Sequence, residues 1–286
     1  MYRLFLLLFA LPLCAIGIGG DLLYWRAHED GLDFAMSGYG SSSQEGASYA
    51  PPSDAAAGLA IWASLPVPQR GWLLQGRYIA YSPKTASRSV GVDPAKGGLI
   101  PTSLVQPETP FAALLEARGS FDLSMHTLDL ELGAPLDLLP SFSLIPFAGM
   151  KGAWQSQRLR VTTLPTFVTE QHQREWGIGV RGGARAAFRF AEMWSLFSDL
   201  ALAALWSHFD VARTDTTVNT QRTIYTMFGL LEWDIGLRTS WVWGGVGCTV
   251  QAGWELQLWQ DQNRFMYGPG GNLSLQGLTL HAALDF

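Results

Sequence analysis

Only two cysteines occur in 286 residues, Cys14 and Cys248. Cys14 lies in an apolar leader-like stretch, so the mature chain is expected to keep Cys248 alone and to form no internal disulfide. Basic residues are scarce as well: 19 Lys and Arg stand against 24 Asp and Glu, for a net charge of -5. No run of them appears, which argues against a nucleic-acid partner, because phosphate binding needs a concentrated basic surface. Past the N-terminus no stretch approaches the roughly 18 uninterrupted apolar residues of a membrane-spanning helix. The histidines, His28, His126, His172, His208 and His281, sit in no metal-ligand or nucleophile spacing. Ser207 and His208 are neighbours on a strand and so point to opposite faces, which excludes a nucleophile–base pair. No catalytic residue, metal or cofactor is therefore expected, and the chain does not read as an enzyme.

What is abundant is apolar and aromatic material. Hydrophobic residues make up 48% of the chain and charged ones 15%, with 12 Trp, 15 Phe, 31 Gly and 15 Pro. The N-terminus, MYRLFLLLFALPLCAIGIGG, has one basic residue, an apolar run and then small residues around Ala15, Gly17 and Gly19. That is the pattern of a secretory signal peptide, giving an expected division into a leader at 1–20 and one body at 21–286. A retained anchor is the alternative. A lipoprotein signal at Cys14 fits less well, because Leu13 stands where a small residue is required.

Period-two alternation marks ten candidate strands: 21–30, 55–64, 71–82, 120–132, 141–155, 175–190, 195–209, 224–240, 245–259 and 275–286. Several reach the 9–11 residues that cross a bilayer at a tilt. Connections alternate: the stretches 31–54, 83–119, 156–174, 210–223 and 260–274 are long, whereas PVPQRG, GAPLDLLP, AEMW and WVWGG are short. Short turns on one side and long loops on the other are the habit of outer-membrane barrels. The expected fold is all-β: a transmembrane up-and-down antiparallel barrel of eight to twelve strands, ten as counted. The stretch FAALLEARG, within 83–119, is a candidate short helix plugging the barrel or covering its mouth. A sheet in hydrocarbon must close on itself, so the final strand, ending LTLHAALDF, should meet the first. Phe286 is then the expected end signal for the barrel-assembly machinery.

If the apolar faces look outward into lipid, the charged faces look into a lumen. The pore-lining candidates are Arg26, Arg77, Asp129, Glu131, Lys151, Arg181, Arg185, Arg189, Asp199, Glu232, Asp234, Arg238 and Glu255. Both signs are present, so no single ion selectivity follows. Glu232 and Glu255 are expected to approach one another, with Arg181 or Arg185 between them. Trp72, Tyr78, Trp154, Trp176, Tyr225 and Trp241 fall near strand ends on the apolar faces, where interfacial girdles lie. Gly177, Gly179 and Gly183 share the face of the arginines, as a crowded interior requires.

Four stretches are more specific: DLLYWRAHEDGLDFA at 21–35, LDLELG with PFAGMKGAW, WGIGVRGG at 176–183, and QAGWELQLWQDQNRFM with the C-terminal strand. Together, from Asp21 to Phe286, they resemble the Legionella-type pore-forming outer-membrane proteins, related to the major outer membrane proteins of chlamydia-like bacteria. The resemblance implies a porin-like barrel in the bacterial outer membrane that passes small solutes by passive diffusion. Its expected partners are the lipid bilayer, the assembly machinery and small solutes; a homo-oligomer is allowed, though nothing singles out an interface. Chlamydial relatives are often cysteine-rich and cross-linked, whereas Cys248 alone, expected to face lipid, does not fit that role. Two other readings stay open: a non-conducting surface barrel whose long loops bind a partner, and a soluble periplasmic barrel holding an apolar ligand.

Overall fold

In the computed structural model, ten strands join edge to edge into one closed antiparallel ring. They are β1 (Gly17–Glu29), β2 (Ala55–Val67), β3 (Trp72–Tyr81), β4 (Glu116–Gly133), β5 (Phe142–Leu164), β6 (Phe167–Arg189), β7 (Trp194–Thr214), β8 (Asn219–Trp243), β9 (Val246–Asn263) and β10 (Gly271–Asp285). The structure describes residues 16–39, 46–67, 71–83, 85–92, 98–102, 114–164, 167–215, 219–266, 268 and 270–286. Each strand pairs with its sequence neighbours, and the ring shuts where β1 runs antiparallel to β10 from Gly17↔Asp285 to Glu29↔Leu273. The Phe286 amide donates to the Ile16 carbonyl at 3.1 Å, finishing the seam. Closure leaves no ring strand with an unpaired edge in hydrocarbon, the condition a membrane sheet has to meet.

All ten expected strands are present, and outside β1 the alternation sorts their faces as read. Ile178, Leu237, Val250 and Leu280 lie on the outside, 42–47% exposed, while Arg185 and Asp234 line the inside. Leu59, Ile61, Val180, Leu202 and Met227 are more exposed still, at 62–67%. A band this apolar, running around the whole ring, is stable against acyl chains and not against water. Ile16, Phe286 and the described short turns lie at one rim. The tightest turn, between β8 and β9, is Gly244-Gly245, both at positive φ, the backbone a two-residue hairpin demands. On the barrel rule this rim is periplasmic.

The opposite end departs from expectation. Three stretches read as long loops, 156–174, 210–223 and 260–274, are largely strand, because β5 runs to Leu164 and β6 resumes at Phe167. A 23-residue strand such as β5 is about 75 Å long, far more than a bilayer needs. Alternation hid these extensions because above the membrane its sense mixes and reverses: Gln155, Gln157, Leu159, Val161 and Thr163 turn inward while Ser156, Arg158 and Arg160 turn outward. FAALLEARG is also not a helix where it is described, since Glu116–Gly119 begin β4 and Leu114 bridges Leu99; residues 111–113 lie outside the described residues. Likewise, of the expected leader at 1–20, residues 1–15 lie outside the described residues, and its boundary falls within β1.

Two genuinely long connections fold over the outer mouth. Ala35–Tyr39, Ser48–Tyr49 and Gly98–Pro101 form a three-stranded sheet, and Ala86–Gly91 pairs with the top of β4. Leu32, Phe34, Leu99 and Leu114 pack there against Ala117, Leu159, Val161 and Phe265.

Candidate functional site

The lumen is built in tiers. At the periplasmic end and in the middle of the ring, alternation delivers charged side chains from eight strands to a common interior. Arg77 of β3 donates to Asp21 of β1 at 2.9 Å and to Glu255 of β9 at 3.2 Å. Lys151 of β5 reaches Asp129 of β4 at 2.7 Å and Glu232 of β8 at 2.9 Å. Arg181 of β6 donates to the same Glu232 at 2.7 Å and also bonds Glu131, which Arg185 holds from its other side. Arg185 further lies 3.8 Å from Asp199, and Arg238 donates to Gln251 at 3.3 Å. The chain of contacts Lys151, Glu232, Arg181, Glu131, Arg185 is continuous, so each of these charges has an opposite one beside it. Burial of unpaired charge is what such pairing avoids.

Small residues make the room. A Cβ on Gly183 would collide with the Leu200 carbonyl and come within 2.8 Å of the Phe147 ring. That ring lies beneath the Arg181 and Arg185 guanidiniums, 4.9 and 4.6 Å from its centroid. Between these groups is a cavity of about 310 Å³, lined from Asp285 and Ser240 near the short-turn rim to Asp129 and Glu255 mid-strand.

Eleven of the expected lumen residues point inward here: Arg77, Asp129, Glu131, Lys151, Arg181, Arg185, Asp199, Glu232, Asp234, Arg238 and Glu255. Arg26 does not. It shares the outer face of β1 with Leu22 and Tyr24, because Asp21, Leu23 and Trp25 take the inner one. Both faces of β1 are apolar, so hydrophobicity could not tell them apart. Arg189 has inward parity but lies exposed at the rim, donating to the Pro140 carbonyl at 3.1 Å. Glu232 and Glu255 are not opposed: the register sets Glu255 against Asp234 and Glu232 against Gln257. Arg181 does serve Glu232, but Arg77 serves Glu255. Sequence reading missed Asp21, which shares the inner face of β1 with the apolar Leu23 and Trp25, and His281, 2.6 Å from it.

Above the charged tier the lumen is filled by apolar side chains. Trp25, Tyr81, Met125, Leu205, Phe228 and Trp259 meet there, none more than 6% exposed. Trp25 seals against the tier below through its indole N–H, which donates to Thr279 at 3.2 Å. A second apolar cluster, under the three-stranded outer sheet, lies beyond this layer.

Outside, Tyr78, Trp154, Trp176, Tyr225 and Trp241 are exposed on the apolar face, and Trp72 is half-buried there. Cys248 also has outward parity but is only 7% exposed, flanked across the ladders by Trp241 and Leu284, so it is shielded from lipid.

The model of a family described as the Legionella pneumophila major outer membrane protein precursor matches residues 15–286, and the chain belongs to that family. The protein is therefore an outer-membrane barrel. Among solved structures, the outer membrane protease OmpT of Escherichia coli is similar at 13% identity and a TM-score of 0.50, covering 95% of this chain and 96% of that one. A major outer membrane protein of Thermus thermophilus is similar at 15% identity and a TM-score of 0.39, covering 95% and 98%. No curated protein matches in sequence.

Proposed function

We propose that this member of an outer-membrane protein family is a small-solute channel held closed by the apolar tier of its own lumen. The observation that carries the reading is the charged cavity at the periplasmic end of the ring, whose wall residue Thr279 accepts from Trp25 of the apolar tier that also holds Leu205 and Phe228. Asp21, Asp129, Glu131, Glu232 and Glu255 of that tier are paired with Arg77, Lys151, Arg181 and Arg185, whereas Asp234 has no ion pair among the described residues and stays available to water and small polar solutes. Passage requires the apolar tier to part. The reading involves no chemistry on the solute, in keeping with Ser207 and His208 turning to opposite sides of β7.

The test is conductance in a planar bilayer. Wild-type protein is expected to give rare, brief steps, and a Trp25→Ala/Phe228→Ala variant long-lived ones. A folded variant that stays silent would overturn the channel. It would select instead a sealed barrel that presents its outer end to a partner, a second reading favoured by the two stacked apolar clusters.

A further inference from the structure

Just above the apolar belt the outer face of the sheet is not flat. Trp154 of β5 and Trp176 of β6 are directly paired across the ladder. The Trp154 ring lies down over Gly152, where an added Cβ would approach it to 3.1 Å. Trp176 leans the other way, onto Trp206 and His208, with ring centroids 5.5 and 5.9 Å apart. A groove of about 350 Å³ opens here, bordered by both indoles and by His126, Ser156, Arg174 and Asp210.

The charges around it are of mixed sign: Arg174 stands against Asp210 and Glu175 in the lining, with Arg158, Arg160 and Glu170 farther out on β5 and β6. Arg158 is engaged by Glu170 at 3.3 Å. Arg174 and Arg160 have no ion pair among the described residues, and both are exposed. Asp210 faces Arg174 in register but is occupied by the Thr223 hydroxyl at 3.0 Å and has His208 3.6 Å away. His172, 3.3 Å from Ser156, senses the balance: burial, then Arg174 and Arg158, push its pKa below the ordinary value against the opposing pull of Glu170.

A ligand for this groove must be apolar where it crosses Trp154 and Gly152, anionic at Arg174, and hydroxyl-bearing beside Asp210 and His126. Indoles at this height mark the interface, and the guanidinium next above lies at the level of lipid headgroups. We propose that the groove binds one phosphorylated glycolipid of the outer leaflet. Arg174 and Ser156 hold its phosphate, Asp210 and His126 meet its sugar hydroxyls, and an acyl chain lies over Trp154 and Gly152. A plain phospholipid satisfies the charge but brings no sugar hydroxyls to Asp210 Oδ2 and His126 Nε2, the atoms left over once Thr223 engages Oδ1 and Tyr78 engages Nδ1.

The test is native mass spectrometry of the folded barrel in detergent, with fold checked by heat-dependent gel mobility. The added ligands are bisphosphorylated lipid A, its dephosphorylated form, phosphatidylglycerol and inorganic phosphate. Expected are one retained lipid A per barrel, about tenfold weaker retention by Arg174→Ala, and unchanged retention by Arg26→Ala, an outward cation away from the groove. Ser156→Ala should weaken retention less. Retention that Arg174→Ala leaves unaltered, or equal retention of the dephosphorylated lipid or of phosphatidylglycerol, would overturn the site. So would competition by inorganic phosphate alone, or no retention at all.

Discussion

Lys151 points its ammonium at Asp129 across the β4–β5 ladder, 2.7 and 2.9 Å from the two carboxylate oxygens, and almost no part of either residue reaches solvent. The same ammonium lies 2.9 Å from Glu232, so one cation serves two acids. Replacing it by Lys151→Met leaves Asp129 and Glu232 to Arg181 alone. The expected loss is about 3–5 kcal/mol, the cost of an uncompensated buried charge. Urea unfolding in lipid vesicles measures it, and adding Asp129→Asn should restore a large part. A loss below about 1 kcal/mol would mean that water, and not protein, solvates this tier.

The outer end should respond to pH through Glu29. Its carboxyl is buried and meets no donor among the described residues. Burial first, and then the charges of Asp30 and Glu175, raise its pKa well above the ordinary 4.5. A carboxyl raised in the folded state favours the fold while protonated. The outer end is thus tightest below about pH 4.5 and loosens as pH climbs through the raised value. Hydrogen exchange at the Asp30 amide, which donates to the Asn272 carbonyl, should speed up from acid to neutral pH beyond the intrinsic rate. Glu29→Gln should abolish that excess, and an unchanged excess would assign it elsewhere.

Cys248 should react slowly with membrane-permeant thiol reagents, at least about tenfold slower than in the unfolded chain, because Trp241 and Leu284 cover it. Leu284→Ala should speed labelling. Fast labelling of the folded wild type would show that the cover opens.

Removing residues 280–286 strips β10 of its pairing with β1 below Leu23↔Thr279 and exposes two strand edges. No heat-modifiable band is expected from that truncation. Phe286→Ala separates closure from recognition. Purified protein should refold as before, while assembly in cells falls if the terminal ring is what the assembly machinery reads.

Strand positions inside the membrane are legible because hydrocarbon on one side and charge on the other give alternation its contrast, as in β6 from Trp176 to Arg189. Where the outer side is polar and the inner side mixes Gln155 and Gln157 with Leu159 and Val161, as in β5 above Trp154, the contrast is lost and strand reads as loop. Where both sides are apolar, as in β1, the faces become ambiguous and Arg26 falls on the wrong one. The apolar seal of Trp25, Phe228 and Trp259 is hidden for a related reason. Its members look like lipid-facing residues, although Phe228 shares the parity of Glu232 and Trp259 that of Glu255. The ion-pair partners are not legible either, because which acid meets which base depends on the stagger between strands, as when Arg77, and not Arg181 or Arg185, comes to serve Glu255.

The extension of β5 and β6 past the bilayer has an outcome for whatever meets this protein from outside. Their ladder stays hydrogen-bonded up to Thr163↔Phe167, so the parts farthest from the cell are stiff ribbon with side chains at set spacings. An antibody or phage fibre docking there reads a shape assembled from two strands, and a linear peptide copied from either strand alone would not compete for it.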